Sequence, residues 1–387
     1  MIPTDEFDLQ NVINPPAFRS PVLAAAVIRE KHSDFRVEEL PLYAPDGAGD
    51  HLFLLVEKTG VASGELLGRF SRSFRVSPGD IGIAGQKDRH GITIQWVSVP
   101  RSAEQRVAEF ADPEIQILSV IPHRNKLKTG HLQGNRFRLT LRSNGSPWTS
   151  DDRDRVAGRL DEIAEGGFPS YFGPQRFGHE GSTLRTGLAL LQGKFSPKRW
   201  TYSQQRFMKR LVLSAVQSAH FNLVLSDRVQ SQTFQVPQNG DVVIRKNGSR
   251  PFLFSDSQSS RPDAAGENPV LVPAGPMWGP EFIQAGDDVD QCERDALKKL
   301  GLTGDEFQRF AKLCRGTRRP MIQFPEHCAV SLTTGGAIEL QFDLRAGTYA
   351  TVLLKEICGA VIDAAKITRS ENPVESGLND FSDEESV

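Results

Sequence analysis

The sequence predicts an α+β chain of two domains, the second inserted within the first. Three observations carry this. At 387 residues, 38% of them hydrophobic, the chain can bury two cores. Strand-like alternation appears near both ends, at Phe35/Val37 and at Ile338, Leu340, Phe342 and Leu344. Between them, Met208, Leu211, Val212, Ala215, Ala219 and Leu223 repeat at helical spacing. The late strand would lack partners unless it returned to the N-terminal half.

Composition narrows the function classes. No apolar run is long enough for a membrane span, and no charged segment followed by an apolar core marks a secretion signal. Cys292, Cys314, Cys328 and Cys358 lie far apart with no Cys-x-x-Cys pair, and the eight histidines are scattered. Reduced cytoplasmic thiols and no protein-bound metal are therefore expected. The net charge of −2 does not advertise a nucleic-acid binder, but local charge matters more than the total. Basic groups gather in 123–128, 194–209 and 315–319, while Asp380, Asp383, Glu384 and Glu385 close the chain.

In order, residues 1 to about 20 read as a loose leader, and 22–39 carry short apolar stretches ending in a strand through Phe35 and Val37. Pro45 to Asp50 is turn chemistry. His51–Lys58 is a predicted strand, Glu65–Phe74 a helix and Ile92–Val99 a strand. A strand follows at Phe137–Leu141, then a helix at 150–165 with an acidic first turn suited to its dipole. Phe168 to Gly178 interleaves aromatics with Arg and Gln. It would either stack on nucleotides or plug a core, and it opens the second domain, whose body is a helix over 203–230. Strands broken by Asn247-Gly248, a surface loop over 255–269 and a turn-rich loop over 273–280 come next. Two short helices parted at Gly301 follow, and Gly316–Pro320 ends the insert. Strand segments at 321–324, 329–332 and 337–344 lead into a predicted helix, Val352–Ala365.

The chemistry-bearing stretch is Ala84 to Gln95, Ala-Gly-Gln-Lys-Asp-Arg-His-Gly-Ile-Thr-Ile-Gln. A glycine frees the backbone at a strand end, and Asp88 then stands between Lys87 and Arg89. A carboxylate amid cations is set up as a nucleophile or base, not as an acid. On the tripeptide alone, a polar hairpin with solvated charges is the better reading.

Its company decides. Asp34-Phe-Arg-Val-Glu-Glu39, the Asp88 stretch, Gly134-Asn-Arg-Phe137, Tyr171-Phe-Gly-Pro-Gln-Arg-Phe-Gly178 and Phe342-Asp-Leu-Arg-Ala-Gly-Thr-Tyr-Ala-Thr351 occur in one order. In that order the chain resembles the TruD family of tRNA pseudouridine synthases from about Ile28 to Cys358. Ser170, Gly91 and Arg345-Ala346 depart from its pattern.

The resemblance implies the pseudouridine synthase fold, a twisted mixed β-sheet with flanking helices, carrying an inserted α/β second domain. The catalytic domain would comprise 1–168 and 319–370, the insert 169–318, and 371–387 a disordered tail. By the same resemblance Asp88 is the catalytic carboxylate and Arg29 the cation paired with it. Phe137 would stack on the target base beside Asn135. Glu39, Lys87, Tyr171, Phe172 and Arg176 complete the substrate-binding set. The implied reaction turns a uridine of tRNA, U13 in the D arm, into pseudouridine with no cofactor, in a cytoplasmic monomer. A non-catalytic RNA binder or tRNA-folding chaperone is the alternative. A nucleoside hydrolase would leave the insert and the basic clusters without a role.

Overall fold

The structure, a computed structural model, describes residues 9–246, 248, 250–255 and 270–366. Residues 1–8 of the expected leader, Asn247 of the expected turn, most of the 255–269 loop and the tail 371–387 lie outside them. The chain divides into two compact units. One joins Met1–Arg19 to Gly166–Gln323, and the other joins Ser20–Glu165 to Phe324–Val387.

The described residues 9–19 thus group with the insert, whereas the sequence places them in the domain over 1–168. In helix α1 (Leu9–Ile13), Val12 and Ile13 are buried, and the Val12 carbonyl accepts a 2.9 Å hydrogen bond from Asn222 Nδ2.

The second unit begins with β1 (Leu23–Ile28), β2 (Phe35–Pro41), β3 (His51–Thr59) and α2 (Ser63–Phe74). It continues through β4 (Gly82–Ile83), β5 (Ile92–Pro100), α3 (Glu104–Ala108), β6 (Ile115–His123), β7 (Leu132–Leu141) and α4 (Ser150–Gly166). The insert supplies β8 (Phe168–Pro169), α5 (Ser182–Leu191), α6 (Tyr202–Gln230), β9 (Val242–Arg245) and β10 (Phe252–Leu253). It closes with β11 (Leu271–Met277), α7 (Asp287–Lys299), β12 (Thr317–Pro320) and β13 (Ile322–Gln323). The chain then returns through β14 (Glu326–Leu332), β15 (Ile338–Arg345), α8 (Ala350–Lys355) and β16 (Cys358–Asp363).

The main sheet runs β14-β15-β7-β2-β5-β3-β6, with β4 also on β5. Every pairing is antiparallel except the parallel β2–β5 pair. The late strand finds its partner here, with Phe342 opposite Phe137. Alternation sets the faces: Leu52, Leu54 and Val56 turn inward from β3, and Val97 and Val99 join them from β5. Helix α2 covers this face with Leu66, Phe70 and Phe74, spaced four apart on one stripe. Burying each contributes about 1.5–3 kcal/mol.

β5 shares one edge between two strands. β2 pairs with Ile92–Ile94 and β4 with Val97 and Ser98. The loop from β4 back to β5 therefore travels along the face of β2, and this path carries Asp88.

Three readings of the sequence need correction. The predicted helix Val352–Ala365 stops at Lys355. Beyond it β16 pairs parallel with β1, Ile28 lying opposite Asp363. The β-branched Val361 and Ile362 suit a pleated strand. At Gly359 a Cβ would lie 2.8 Å from the Ala24 carbonyl, so glycine permits this close approach. The 273–280 loop is largely the strand β11, despite Pro273 and Pro276. The ladder changes sides, β9 pairing with 271–273 and β12 with 274–277, so neither proline breaks a continuous pairing. Of Gly316–Pro320, Thr317–Pro320 forms β12, antiparallel to β11. Helices α3 and α5 and the edge strand β6 had no clear signal in the sequence.

The insert's core surrounds α6. Arg318 meets Glu293 in a buried two-bond ion pair (2.5 and 3.0 Å), and His220 Nε2 donates to the Glu293 carbonyl at 2.7 Å. Burial, with Arg318 nearby, pushes the His220 pKa down to about 4. The unfolded chain therefore binds a proton here that the folded chain refuses. This contribution is complete above pH about 6.5 and is lost as pH falls towards 4, amounting to about 3 kcal/mol at most. We expect wild type to lose stability faster than His220→Gln between pH 7.5 and 5 in denaturant titrations. Parallel pH dependences would contradict this origin.

Candidate active site

Arg29 follows β1 directly and has a left-handed backbone (φ 59°), rare for a side chain with a Cβ. That turn brings its guanidinium over the Phe35 ring, with Cζ 3.8 Å from the centroid. Nη2 then donates to Asp88 Oδ2 at 2.8 Å, and Nη1 donates to Asp363 Oδ2 at 2.9 Å. The Asp88 side chain is 32% exposed, while those of Asp363 and Arg29 are 14% and 13% exposed. Asp88 is thus the member of the cluster open to a substrate.

The turn leading to β2 is pinned from below. The Asp34 carboxylate accepts two bonds from Arg142 (2.9 and 2.7 Å) and one from the Lys31 amide (2.9 Å). Burial alone would raise its pKa, but the Arg142 bonds and the Lys31 amide hold it below the usual range. Arg142 also exchanges both backbone bonds with Val27, two residues before Arg29.

Next to Asp88, the Lys87 side chain turns under the loop. Its Nζ lies 3.0 Å from Glu39 Oε2 and donates to Asn135 Oδ1 at 2.8 Å. Glu39 and Asn135 are cross-strand partners on β2 and β7, so their side chains share a face. Glu39 Oε1 also accepts from the Trp96 amide at 3.3 Å. Burial pushes the Glu39 pKa up, and Lys87 pulls it back only in part.

Two further groups hold the loop backbone. Lys58, with 1% of its surface exposed, donates to the carbonyls of Asp88 (3.0 Å) and Val61 (2.5 Å). Ser63 Oγ accepts from the Lys87 amide (2.8 Å) and donates to its carbonyl (3.2 Å). Neither residue belongs to a motif of the sequence. Lys58 had a signal, since it continues the inward-facing row Leu52, Leu54, Val56 with a cation. Asp363 went unnoticed because its segment reads as helix.

The structure therefore brings Asp88, Arg29, Lys87, Glu39 and Asn135 together. Phe137 belongs to the same face. It is 7% exposed, stacks on Phe342 (centroids 5.5 Å, interplanar 28°) and meets Phe35 edge-on at 6.3 Å. One face of its ring is thus already occupied by Phe342.

Tyr171, Phe172 and Arg176 lie in the other unit. Tyr171 and Phe172 are buried, and Phe172 packs edge-on against Phe221. Asn222 brackets the Phe172 backbone through its amide (2.9 Å) and carbonyl (3.0 Å). Arg176 donates to Ser218 Oγ at 3.3 Å. The two aromatics are thus a core plug, and the expectation that they contact substrate does not fit their burial. Among the described residues, no cluster of His, Cys, Asp and Glu is arranged to hold a metal ion, and no helix is long and apolar enough to cross a membrane.

The family model for tRNA pseudouridine synthase D (TruD) matches residues 24–208 and 203–357. Similar relatives include the tRNA pseudouridine synthase D of Anaeromyxobacter dehalogenans (strain 2CP-C), 35% identical over 87% of this chain and 94% of its own. That of Methylococcus capsulatus (strain Bath) is 34% identical over 88% of this chain and 93% of its own. A crystal structure from Methanosarcina mazei assigned to the same synthase matches with a TM-score of 0.68. It is 21% identical and covers 90% of this chain and 96% of that one, a likeness of fold. The chain belongs to the TruD family of tRNA pseudouridine synthases.

The buried Lys87–Glu39 pair yields a stability test. Glu39→Leu leaves an uncompensated ammonium in the sheet and should cost about 3–5 kcal/mol in chemical denaturation. Adding Lys87→Met should recover most of that loss. Additive losses would show that the two charges do not depend on each other.

Proposed function

We propose that this protein isomerises a uridine of tRNA to pseudouridine, at U13 in the D arm, with Asp88 as the essential carboxylate. The observation that carries the reading is the Arg29–Asp88 ion pair, formed across 59 residues between the positions where the family pattern places its cation and its aspartate.

The reaction exchanges one glycosidic bond for another. The N1–C1′ bond breaks and the uracil turns. C5 then bonds to C1′, the C5 proton leaves, and N1 gains a proton, so atoms and electrons balance without a redox partner. Asp88 acts on the ribose, either attacking C1′ or removing the C2′ proton. Both roles need an accessible oxygen held in a fixed direction. Arg29 fixes that direction by binding Oδ2, and Lys58 and Ser63 fix the backbone on either side of the Lys87–Asp88 peptide. Asn135, oriented by Lys87, offers a polar contact for the uracil, and Phe137 forms the floor beneath it. The target nucleotide must leave its helix to reach Asp88. The unit containing Asp88 is the catalytic one. The inserted unit, with its basic segments 194–209 and 315–319, holds the tRNA body. A tRNA substrate places the activity in the cytoplasm.

Asp88→Ala should abolish pseudouridine formation while leaving tRNA affinity nearly intact. Mapping of modified sites in tRNA treated with wild type and variant reads this directly. A D-arm site absent only in the variant is expected. A site that persists in the variant would remove Asp88 from the chemistry, and binding without any modification would favour a tRNA-folding chaperone. Affinity for tRNA should fall steeply with salt, because phosphate contacts release counterions. Salt-independent binding would argue against an RNA substrate.

A further inference from the structure

We propose that His32 is a stacking platform for a base next to the target uridine; this rests on the pseudouridine synthase reading above. His32 lies in the turn between β1 and β2, three residues after Arg29, and it is exposed. Its ring is nearly parallel to that of His90, with centroids 6.5 Å apart and an interplanar angle of 12°. That separation falls within the range of about 4.5–7 Å in which offset aromatic stacks occur.

The pair stands beside Asp88. His90 follows it by two residues, and Arg29, whose Nη2 binds it, precedes His32 by three. A third segment closes the corner. The Gly60 amide, just after β3, donates to the Gly91 carbonyl at 3.2 Å, and Arg89 Nε donates to the Gly60 carbonyl at 3.4 Å. Gly60 has a left-handed backbone (φ 72°), and a Cβ there would lie 3.2 Å from His32 Nε2 and 3.4 Å from its Cε1. Glycine thus lets the edge of the His32 ring settle beside this turn.

Drawing a uridine out of its helix breaks its stacking on both neighbours. Asp88, Arg29, Lys87 and Asn135 act on the target nucleotide, and none of them is aromatic. An exposed imidazole with a second ring beside it supplies a face for the base next in the strand, since RNA bases stack on histidine as on phenylalanine or tyrosine. His90 is partly buried and backs the stack, while the exposed His32 receives the base. Such a contact carries no sequence code, because every base has a π-face. It holds the strand in place while the uridine is turned out.

The test uses full-length protein and tRNA. His32→Ala should weaken tRNA binding about 10-fold at an unchanged melting temperature, and His32→Phe should restore it. Rescue by an uncharged aromatic ring is the mark of stacking. A phosphate contact would be restored by His32→Arg instead. Equal affinity for wild type and His32→Ala, or rescue by arginine and not by phenylalanine, would overturn the proposal.

A second arm reads stacking directly and needs no turnover. The fluorescent base 2-aminopurine replaces the nucleotide on either side of the target uridine, and the protein carries Asp88→Asn. At one of the two positions the probe should be brighter with His32→Ala than with His32 intact, and His32→Phe should quench it again. Fluorescence that ignores the side chain at position 32 in both labelled tRNAs would overturn the proposal. Binding of tRNA by wild type without pseudouridine formation would instead count against the assigned reaction alone, because affinity and its rescue by phenylalanine still decide the role of His32.

Discussion

A single guanidinium organises the site. Arg29 reaches Asp88 only because three separate stretches converge on it. β1 ends in a left-handed turn, β2 supplies Phe35 as a platform, and β16 returns from the end of the described chain to place Asp363 alongside. The Arg142–Asp34 pair and the Val27–Arg142 bridge lock the turn from the other side. A planar, five-donor cation suits this position where lysine would not, since it must face two carboxylates and an aromatic ring at once.

Beneath it lies a layer of buried polar groups that adds little to stability. Lys58, Lys87 and Glu39 are each nearly excluded from solvent, and desolvation opposes the charge of every one. Their gain is in definition. Each donor reaches a specific carbonyl, carboxylate or amide of the loop or of the strand below it, so the peptide carrying Asp88 has one path across the face of β2. An apolar layer would fold as well or better, but it would leave the Asp88 loop unspecified. The helical cover over Leu52, Leu54 and Val56 carries the burden of stability for this part of the sheet.

How much of this was legible in the sequence depends on the kind of signal. Asp88 and Arg29 were readable because short motifs with fixed spacing survive without three-dimensional information. The strands around Phe35, Phe137 and Phe342 were readable because each alternates cleanly. Asp363 was hidden, since Val352–Ala365 has helix-like composition and only the parallel partner β1 turns its second half into a strand. Prolines disguised β11, because the rule against proline in a sheet assumes one continuous ladder and this strand changes partners midway. Tyr171 and Phe172 looked like a stacking surface because aromatics beside arginine read the same in a core plug as at an RNA interface. Only their burial separates the two.

The central claim is that Asp88 moves the uracil of a tRNA uridine from N1 to C5. In that exchange the hydrogen at C5 must leave, whichever way Asp88 acts on the ribose. The most direct measurement is therefore release of tritium to water from tRNA labelled at uridine C5. Wild type should release one tritium per tRNA, and Asp88→Asn should release none. Tritium retained by wild type under conditions where it binds tRNA, or release by Asp88→Asn at the wild-type rate, would contradict the account.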